Sequence, residues 1–264
     1  MPRFLLVVLP LLACFPCVSH ASEPVVQALR ATFRIAHGTE SGTAFVVKKP
    51  DGGYLAVTAA HVLQKLEGEQ CLGVFRSAET QEGYQRIEVK LPIRQGGKAL
   101  WTRHPHLDVA VMDVTLPNKA AVEPFELQQI ASAKLAEDNK LHVGQEVFIP
   151  CYPAKLEANK AGWPILRKGS IATYPLTPLN SARTIFIDYS HFGGDSGSAV
   201  VAIIDDEPVV VALVFAMQRQ SDRMVMPFEE RTVHTPLGLA IAVQAPIIRS
   251  TIEMHLSKPD PDQK

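Results

Sequence analysis

Three short segments carry side chains that together can activate a hydroxyl and stabilise an acyl-transfer intermediate. Leu55-Ala56-Val57-Thr58-Ala59-Ala60-His61-Val62 is a strand-like run that ends, through two small residues, on a histidine. An imidazole held there can take up and return a proton near neutral pH. Leu107-Asp108-Val109-Ala110-Val111-Met112 opens an apolar strand with an acid. A carboxylate in that setting needs a hydrogen-bond or charge partner, and an imidazole N–H suits it. Asp113 is the competing acid; it falls five residues later, on the opposite face of the strand. Phe192-Gly193-Gly194-Asp195-Ser196-Gly197-Ser198-Ala199 places a serine in a glycine-rich turn before another strand. Glycines allow backbone conformations that a Cβ would obstruct, so the Gly194 and Ser196 N–H groups can converge on a developing oxyanion.

The remainder of the chain supplies short strands to hold these groups. Val-, Ile- and Thr-rich runs predict strands at 32–35, 43–47, 54–58, 87–91, 109–114, 146–149, 170–174, 184–188, 199–204, 209–215 and 239–243. Helical spacing is restricted to 59–66 and to 244–256, where Ile247, Ile248, Ile252 and Leu256 share a face. Strands at this spacing without long intervening helices predict antiparallel sandwiches or barrels.

The segments Thr58-Ala59-Ala60-His61, Asp108 within Leu-Asp-Val-Ala-Val, and Gly194-Asp195-Ser196-Gly197 resemble, in order, those of trypsin-like serine proteases. Ser41-Gly42-Thr43-Ala44-Phe45, Lys168-Gly169-Ser170-Ile171 and Gly238-Leu239-Ala240-Ile241 resemble the family's bacterial, Deg-like branch, here without a PDZ domain. The resemblance spans about residues 30–250. It implies an all-β fold of two six-stranded antiparallel barrels of the chymotrypsin-like kind with a C-terminal helix. The protease domain would cover 22–256, with an N-terminal barrel at about 30–120, a C-terminal barrel at about 140–243, the helix at about 244–256 and a polar tail at 257–264. It also implies hydrolysis of peptide bonds through an acyl-enzyme, with His61, Asp108 and Ser196 as the triad, Gly194 and Ser196 as the oxyanion hole, a protein or peptide as substrate, and no metal or other cofactor.

By the same resemblance the substrate pocket draws on Ser190, His191, Val214, Phe215 and Ala216. No acid stands at the position that selects Arg or Lys, so a small or apolar side chain is the expected preference. His191 offers a hydrogen bond to an acidic or polar group as the other option. Two features depart from the family pattern. Ser198 replaces a glycine, and Asp195 lacks the new N-terminus that such an aspartate pairs with in activated digestive proteases. Arg34-Ile35-Ala36-His37 is read as an early strand rather than an activation site. Residues 218–235 are read as a long charged loop able to gate the pocket. His104 and His106 are read as exposed loop residues, since no third ligand lies at metal-binding spacing.

Composition agrees with a globular protein: 264 residues, 47% hydrophobic, 20% charged and a net charge of −1. That balance carries no electrostatic footprint for nucleic acid. One cation, an apolar run from Phe4 to Cys17 and small residues at Ser19 and Ala21 predict a secretory leader over 1–21, and thus a periplasmic or secreted protein. The alternative is lipoprotein processing at Cys14. No later stretch has the length of about 20 apolar residues that spans a bilayer. Cys71 and Cys151 remain after cleavage, as a disulfide pair or as two buried thiols. An inactive binding protein on the same fold, or an esterase using the same three residues, is the alternative function; oligomeric state is not readable.

Overall fold

The computed structural model describes residues 24–258 apart from Glu79 and Asn139. The expected leader, with its Cys14 site, and the tail from 259 onward lie outside the described residues. In chain order the elements of the first half are α1 (Pro24–Ala31), β1 (Thr32–His37), β2 (Glu40–Lys48), β3 (Tyr54–Thr58), α2 (Ala60–Lys65), β4 (Gln70–Arg76), β5 (Arg86–Pro92), β6 (Arg94–Gln95), β7 (Lys98–Ala99), β8 (Trp101–Arg103) and β9 (Ala110–Val114). After a linker containing α3 (Ala133–Glu137) come β10 (Glu146–Cys151), β11 (Ile165–Ile171), β12 (Thr184–Asp188), β13 (Ala199–Ile204), β14 (Glu207–Met226), β15 (Glu229–Gln244) and α4 (Ala245–Leu256).

The architecture is the mostly-β one expected, with a difference between its halves. The second half is a closed six-stranded barrel in the order β10-β11-β12-β15-β14-β13. The first half is a seven-stranded antiparallel sheet, β5-β4-β1-β2-β3-β9-β8, curled like a half-barrel and not closed by a ladder between its edges. Its inner face is filled by large side chains: Phe33 stacks on Phe75 with centroids 4.5 Å apart, and Phe45 meets Phe125 edge-on at 6.0 Å.

The linker stitches the halves together through its backbone. Phe125 exchanges hydrogen bonds with Val46 and Lys48 of β2, both 2.9 Å, and Ala131 N–H donates to Val210 of β14 at 2.9 Å. Arg249 of α4 donates to the Leu127 and Ile130 carbonyls at 3.0 and 2.9 Å. The far end of α4 docks on the first sheet, where His255 bonds Thr102 of β8 at 2.7 Å and Asp113 of β9 at 3.0 Å. Arg76, fully buried, donates to the Thr32, Leu29 and Arg30 carbonyls and lies over the Trp163 ring at 4.4 Å. Three carbonyls and an aromatic face thus stand in for a carboxylate at the two terminal nitrogens, while Nε is buried with no hydrogen-bond partner among the described residues.

Two sequence expectations are corrected here, and one strand is added. The gating loop read at 218–235 is instead the outer half of a β14–β15 hairpin, paired from Arg219↔Pro236 to Met226↔Glu229. The ribbon projects beyond the barrel with residues 219–237 all exposed, so no core imposes a burial period on it. The strand read at 170–174 lies earlier, at Ile165–Ile171, because residues from 172 leave the ladder toward Pro175 and Pro178. Strand β4 went unread although Cys71-Leu72-Gly73-Val74-Phe75 is a short apolar run.

Cys71 and Cys151 are both buried free thiols, one in each half, so the paired alternative is not adopted. Burial pushes the Cys71 thiol up to about 12; burial, with the Asp195 charge, raises Cys151 as well. Iodoacetamide at pH 8 should therefore leave both unmodified in the folded protein and alkylate both in denaturant, as read by peptide mass spectrometry.

Candidate active site

His61 sits in the first turn of α2, immediately beyond the buried β3 strand and the small residues Ala59 and Ala60. The first N–H groups of a helix lack intrahelical acceptors, and here one of them is used. Asp108 accepts the His61 backbone N–H on Oδ1 at 2.8 Å and lies 2.5 Å from ring Nδ1 through Oδ2. A carboxylate can only accept, so Nδ1 carries the proton and Nε2 is left as the basic atom. Burial alone would raise the Asp108 carboxyl; the two bonds from His61, with its charge and that of Arg103, outweigh it and hold the group below the ordinary range. The loop before Asp108 is pinned by His104, whose Nδ1 accepts the N–H groups of His106 and Leu107 at 3.2 and 3.1 Å. Asp113, the competing acid, is engaged elsewhere, by Lys49 and His255 at 3.0 Å each.

Ser196 comes from the other half, in the loop between β12 and β13. Its main chain is tied to β2: Thr43 N–H donates to the Ser196 carbonyl at 2.9 Å, and Thr43 Oγ1 donates to the Gly194 carbonyl at 2.8 Å. On its other side Ala154 N–H donates to Gly193 at 2.7 Å and Gly197 N–H to Val214 at 2.8 Å. These bonds consume the loop's carbonyls, while the Gly194 and Ser196 N–H groups have no hydrogen-bond partner among the described residues. Two glycines are required by close approach. Gly194 (φ 101°) and Gly197 (φ 92°) occupy the left-handed region, and a Cβ there would collide with the Tyr152 carbonyl and the Thr43 carbonyl respectively. Ser198, the departure from glycine, is used: its hydroxyl donates to the Asp195 carbonyl at 2.6 Å.

His61 and Ser196 line one cavity of about 140 Å³, together with Ser41, Gly193 and Gly194. They are not hydrogen-bonded to each other; the Ser196 hydroxyl points to the Phe215 carbonyl at 3.4 Å. A larger hollow of about 730 Å³ runs along β1 and β4 and includes neither residue.

Asp195 has one hydrogen-bond donor, and its Oδ1 is buried with no hydrogen-bond partner among the described residues. It is fully buried, its Oδ2 accepts the Phe192 N–H at 2.9 Å, and the Cys151 thiol and Tyr189 hydroxyl are its polar neighbours. Burial raises its carboxyl, only partly opposed by the Phe192 N–H and these neighbours. Of the expected pocket residues, Val214 and Phe215 lie against the Ser196 loop. Ser190 is exposed beside Gly238, with its carbonyl bonded by Arg167 at 3.1 Å, and His191 is buried. Ala216 follows at an irregularity in the β14 ladder. Thr43 as a support of the loop was not recognised in sequence, because it reads simply as one more β-branched strand residue.

The sequence from 42 to 213 matches the family model described as a trypsin-like peptidase domain. No curated protein matches the chain.

If Thr43 positions the loop, Thr43→Val, which keeps shape and removes the donor, leaves the Gly194 carbonyl unpaired. An unmet buried acceptor costs about 1–3 kcal/mol. The second-order rate of Ser196 labelling by a fluorophosphonate should fall about 10- to 100-fold, and Thr43→Ser should restore most of it.

Proposed function

The chain belongs to the trypsin-like peptidase family, and on that premise we propose that it is an exported serine endopeptidase using His61, Asp108 and Ser196. The observation that supports this most is the double hydrogen bond from His61 to Asp108 at the cleft that also holds Ser196. In the proposed reaction the Ser196 hydroxyl turns from the Phe215 carbonyl toward His61 Nε2 by rotation about its Cα–Cβ bond. His61 takes the proton as Oγ attacks the peptide carbonyl, and the Gly194 and Ser196 N–H groups receive the developing oxyanion. His61 then returns the proton to the leaving amine, and water hydrolyses the acyl-enzyme by the same route. Apo geometry looser than the reacting geometry is ordinary for such a pair. The leader-like segment at 1–21 is the basis for proposing export, to the periplasm or the medium. Segments 41–45, 168–171 and 238–241 suggest the Deg-like branch.

A fluorophosphonate should label the protein, and Ser196→Ala should abolish both labelling and cleavage of a denatured protein substrate. Labelling without cleavage of any peptide would favour an esterase, and absence of labelling would favour a binding protein. Asp108→Asn should lower kcat by about 10⁴, the size of this change in other His-Asp-Ser enzymes. Because the Asp108 carboxyl is lowered on folding, its stabilisation is complete above the unfolded carboxylate pKa of about 3.9. It is lost as pH falls through the folded value, so urea melts of Asp108→Asn should show a shallower acid limb.

A further inference from the structure

The barrel strand that passes the serine loop continues far beyond it. One edge of β14 pairs with β13 as far as Ala199↔Leu213 and then with the serine loop itself. Val214 N–H donates to the Ser198 carbonyl at 3.0 Å, Gly197 N–H donates to the Val214 carbonyl at 2.8 Å, and the Ser196 hydroxyl meets the Phe215 carbonyl at 3.4 Å. Past Phe215 this edge has no backbone partner among the described residues. The opposite edge stays paired with β15 out to Met226↔Glu229. From Arg219 to Met226 that pairing is regular and every residue is exposed.

An open strand edge is a row of unpaired N–H and C=O groups, a template for another strand. Proteins that must not use such an edge interrupt it with proline or an irregularity, or keep it short. The two edges of the ribbon differ in this respect. β15 carries Pro236 within the ribbon, whereas residues 219–226 of β14 hold no proline and no irregularity. That stretch spans about 26 Å at the ordinary rise per residue. Its outer end is also apolar. Met224, Val225 and Met226 are 47%, 71% and 50% exposed, and Met224 and Met226 share a face because alternate residues do. The other face is engaged with itself: the Ser221 hydroxyl bonds the His234 ring at 2.8 Å, and Arg223 donates to both Glu230 oxygens at 2.6 and 2.7 Å. Between the cleft and the ribbon the β14 ladder has irregularities at Val214/Ala216 and Met217/Arg219.

We propose that the open edge of β14 from Arg219 to Met226 is a second substrate-binding site, remote from the cleft. It takes up, by strand addition, an extended segment of an unfolded protein lying upstream of the bond that Ser196 attacks. This rests on the peptidase reading above. The occupant follows from continuity: the edge belongs to the strand whose Phe215 carbonyl holds the resting Ser196 hydroxyl, so one polypeptide can reach both. The direction follows from strand pairing. Antiparallel ladders are slightly the more stable, and β14 runs outward from the cleft, so the added strand runs inward. Residues preceding the scissile bond then lie along the ribbon. The irregularities bend β14 between the two sites, which therefore hold separate stretches of one chain. Main-chain bonds supply the affinity, and alternate side chains supply the preference. Apolar residues at every second position meet Met224 and Met226. A folded domain already has its backbone groups paired, so the edge selects unfolded chains.

The test is a series of quenched fluorescent peptides with one fixed cleavage sequence, lengthened upstream by about 4, 8 and 12 residues. Arg219 and Met226 stand four and eleven residues beyond Phe215, so only the two longer peptides reach along the ribbon. The expected kcat/KM rises at least 10-fold from the shortest to the longest, through KM, while equal lengthening downstream adds less than 2-fold. Only every second N–H of an added strand faces the edge. N-methylation of alternate amides should therefore remove the gain in one phase and spare it in the other. Replacing residues 220–235 by Asn-Gly should abolish the gain and keep fluorophosphonate labelling of Ser196. Met224→Ser combined with Met226→Ser, which leaves the ribbon backbone in place, should lower the gain at least 3-fold. Equal kcat/KM across the series, or a gain indifferent to ribbon removal or to the N-methyl phase, overturns the inference and leaves the peptidase reading standing. A dimer that ribbon removal dissociates gives the edge to a second copy and overturns it as well. If Ser196 neither labels nor cleaves any peptide, the peptidase reading falls by itself. Fluorescence anisotropy of the longest peptide then tests the edge alone: at least 10-fold tighter binding to the intact ribbon than to the shortened one supports strand addition, and equal binding overturns it.

Discussion

Thr43 joins two separately built sheets at the point where they must act together. The histidine–aspartate pair belongs to the first sheet and the serine to the barrel, so neither sheet alone assembles the cleft. One residue on β2 bonds the serine loop twice, through its N–H to Ser196 and its hydroxyl to Gly194. Its own carbonyl accepts the Thr58 hydroxyl at 2.7 Å, which leads into the β3 end that carries His61. The line from Gly194 through Thr43 and Thr58 to His61 is therefore short: one part-buried and one buried hydrogen bond, then the chain from Thr58 to His61; such bonds are stronger where water is excluded. Gly197 has no room for a Cβ because this same carbonyl and hydroxyl press against it.

Around that clamp the charges are arranged in two different ways. Asp108 is partly buried but doubly bonded, and remains ionised. Asp195 is fully buried with one N–H donor, and its carboxyl is raised instead. The first arrangement sets a carboxylate against the His61 ring; the second bonds the Phe192 N–H through Oδ2 and leaves Oδ1 with no hydrogen-bond partner among the described residues. The Arg34, Arg86 and Glu157 cluster adds an ionic tie between β1, β5 and the loop after β10, with Glu157 3.0 Å from Arg34 and 2.5 Å from Arg86. Such groups in a partly dehydrated seam are more valuable for fixing relative position than for net stability.

Much of this was readable in the chain. His61, Asp108 and Ser196 stand in local patterns whose small residues and glycines have steric reasons; the structure bonds His61 to Asp108 and sets His61 and Ser196 on one cavity, without a hydrogen bond between those two. Strands at 184–188 and 199–204 were legible because short Val-, Ile- and Phe-containing apolar runs with flanking breaks coincide there. The open first sheet was not, since closure depends on which edge strands meet, a relation absent from any local window. The β14–β15 ribbon was missed because its residues have no core to face and therefore no burial period to read. Asp195's neighbours, Cys151 and Tyr189, lie on β10 and just after β12, and only the folded barrel places them together. Thr43 was invisible as a clamp for a related reason: its acceptors lie more than a hundred residues away in sequence.

The most direct test of the clamp and of the cleft it creates is a crystal structure of the protein phosphonylated at Ser196. The phosphonate oxygen mimics the oxyanion. The account predicts it about 2.7–3.1 Å from both the Gly194 and Ser196 nitrogens, with His61 Nε2 beside the former hydroxyl and both Thr43 bonds kept. A phosphonate oxygen turned to solvent, or a serine loop detached from Thr43 while the adduct still forms at full rate, would contradict it.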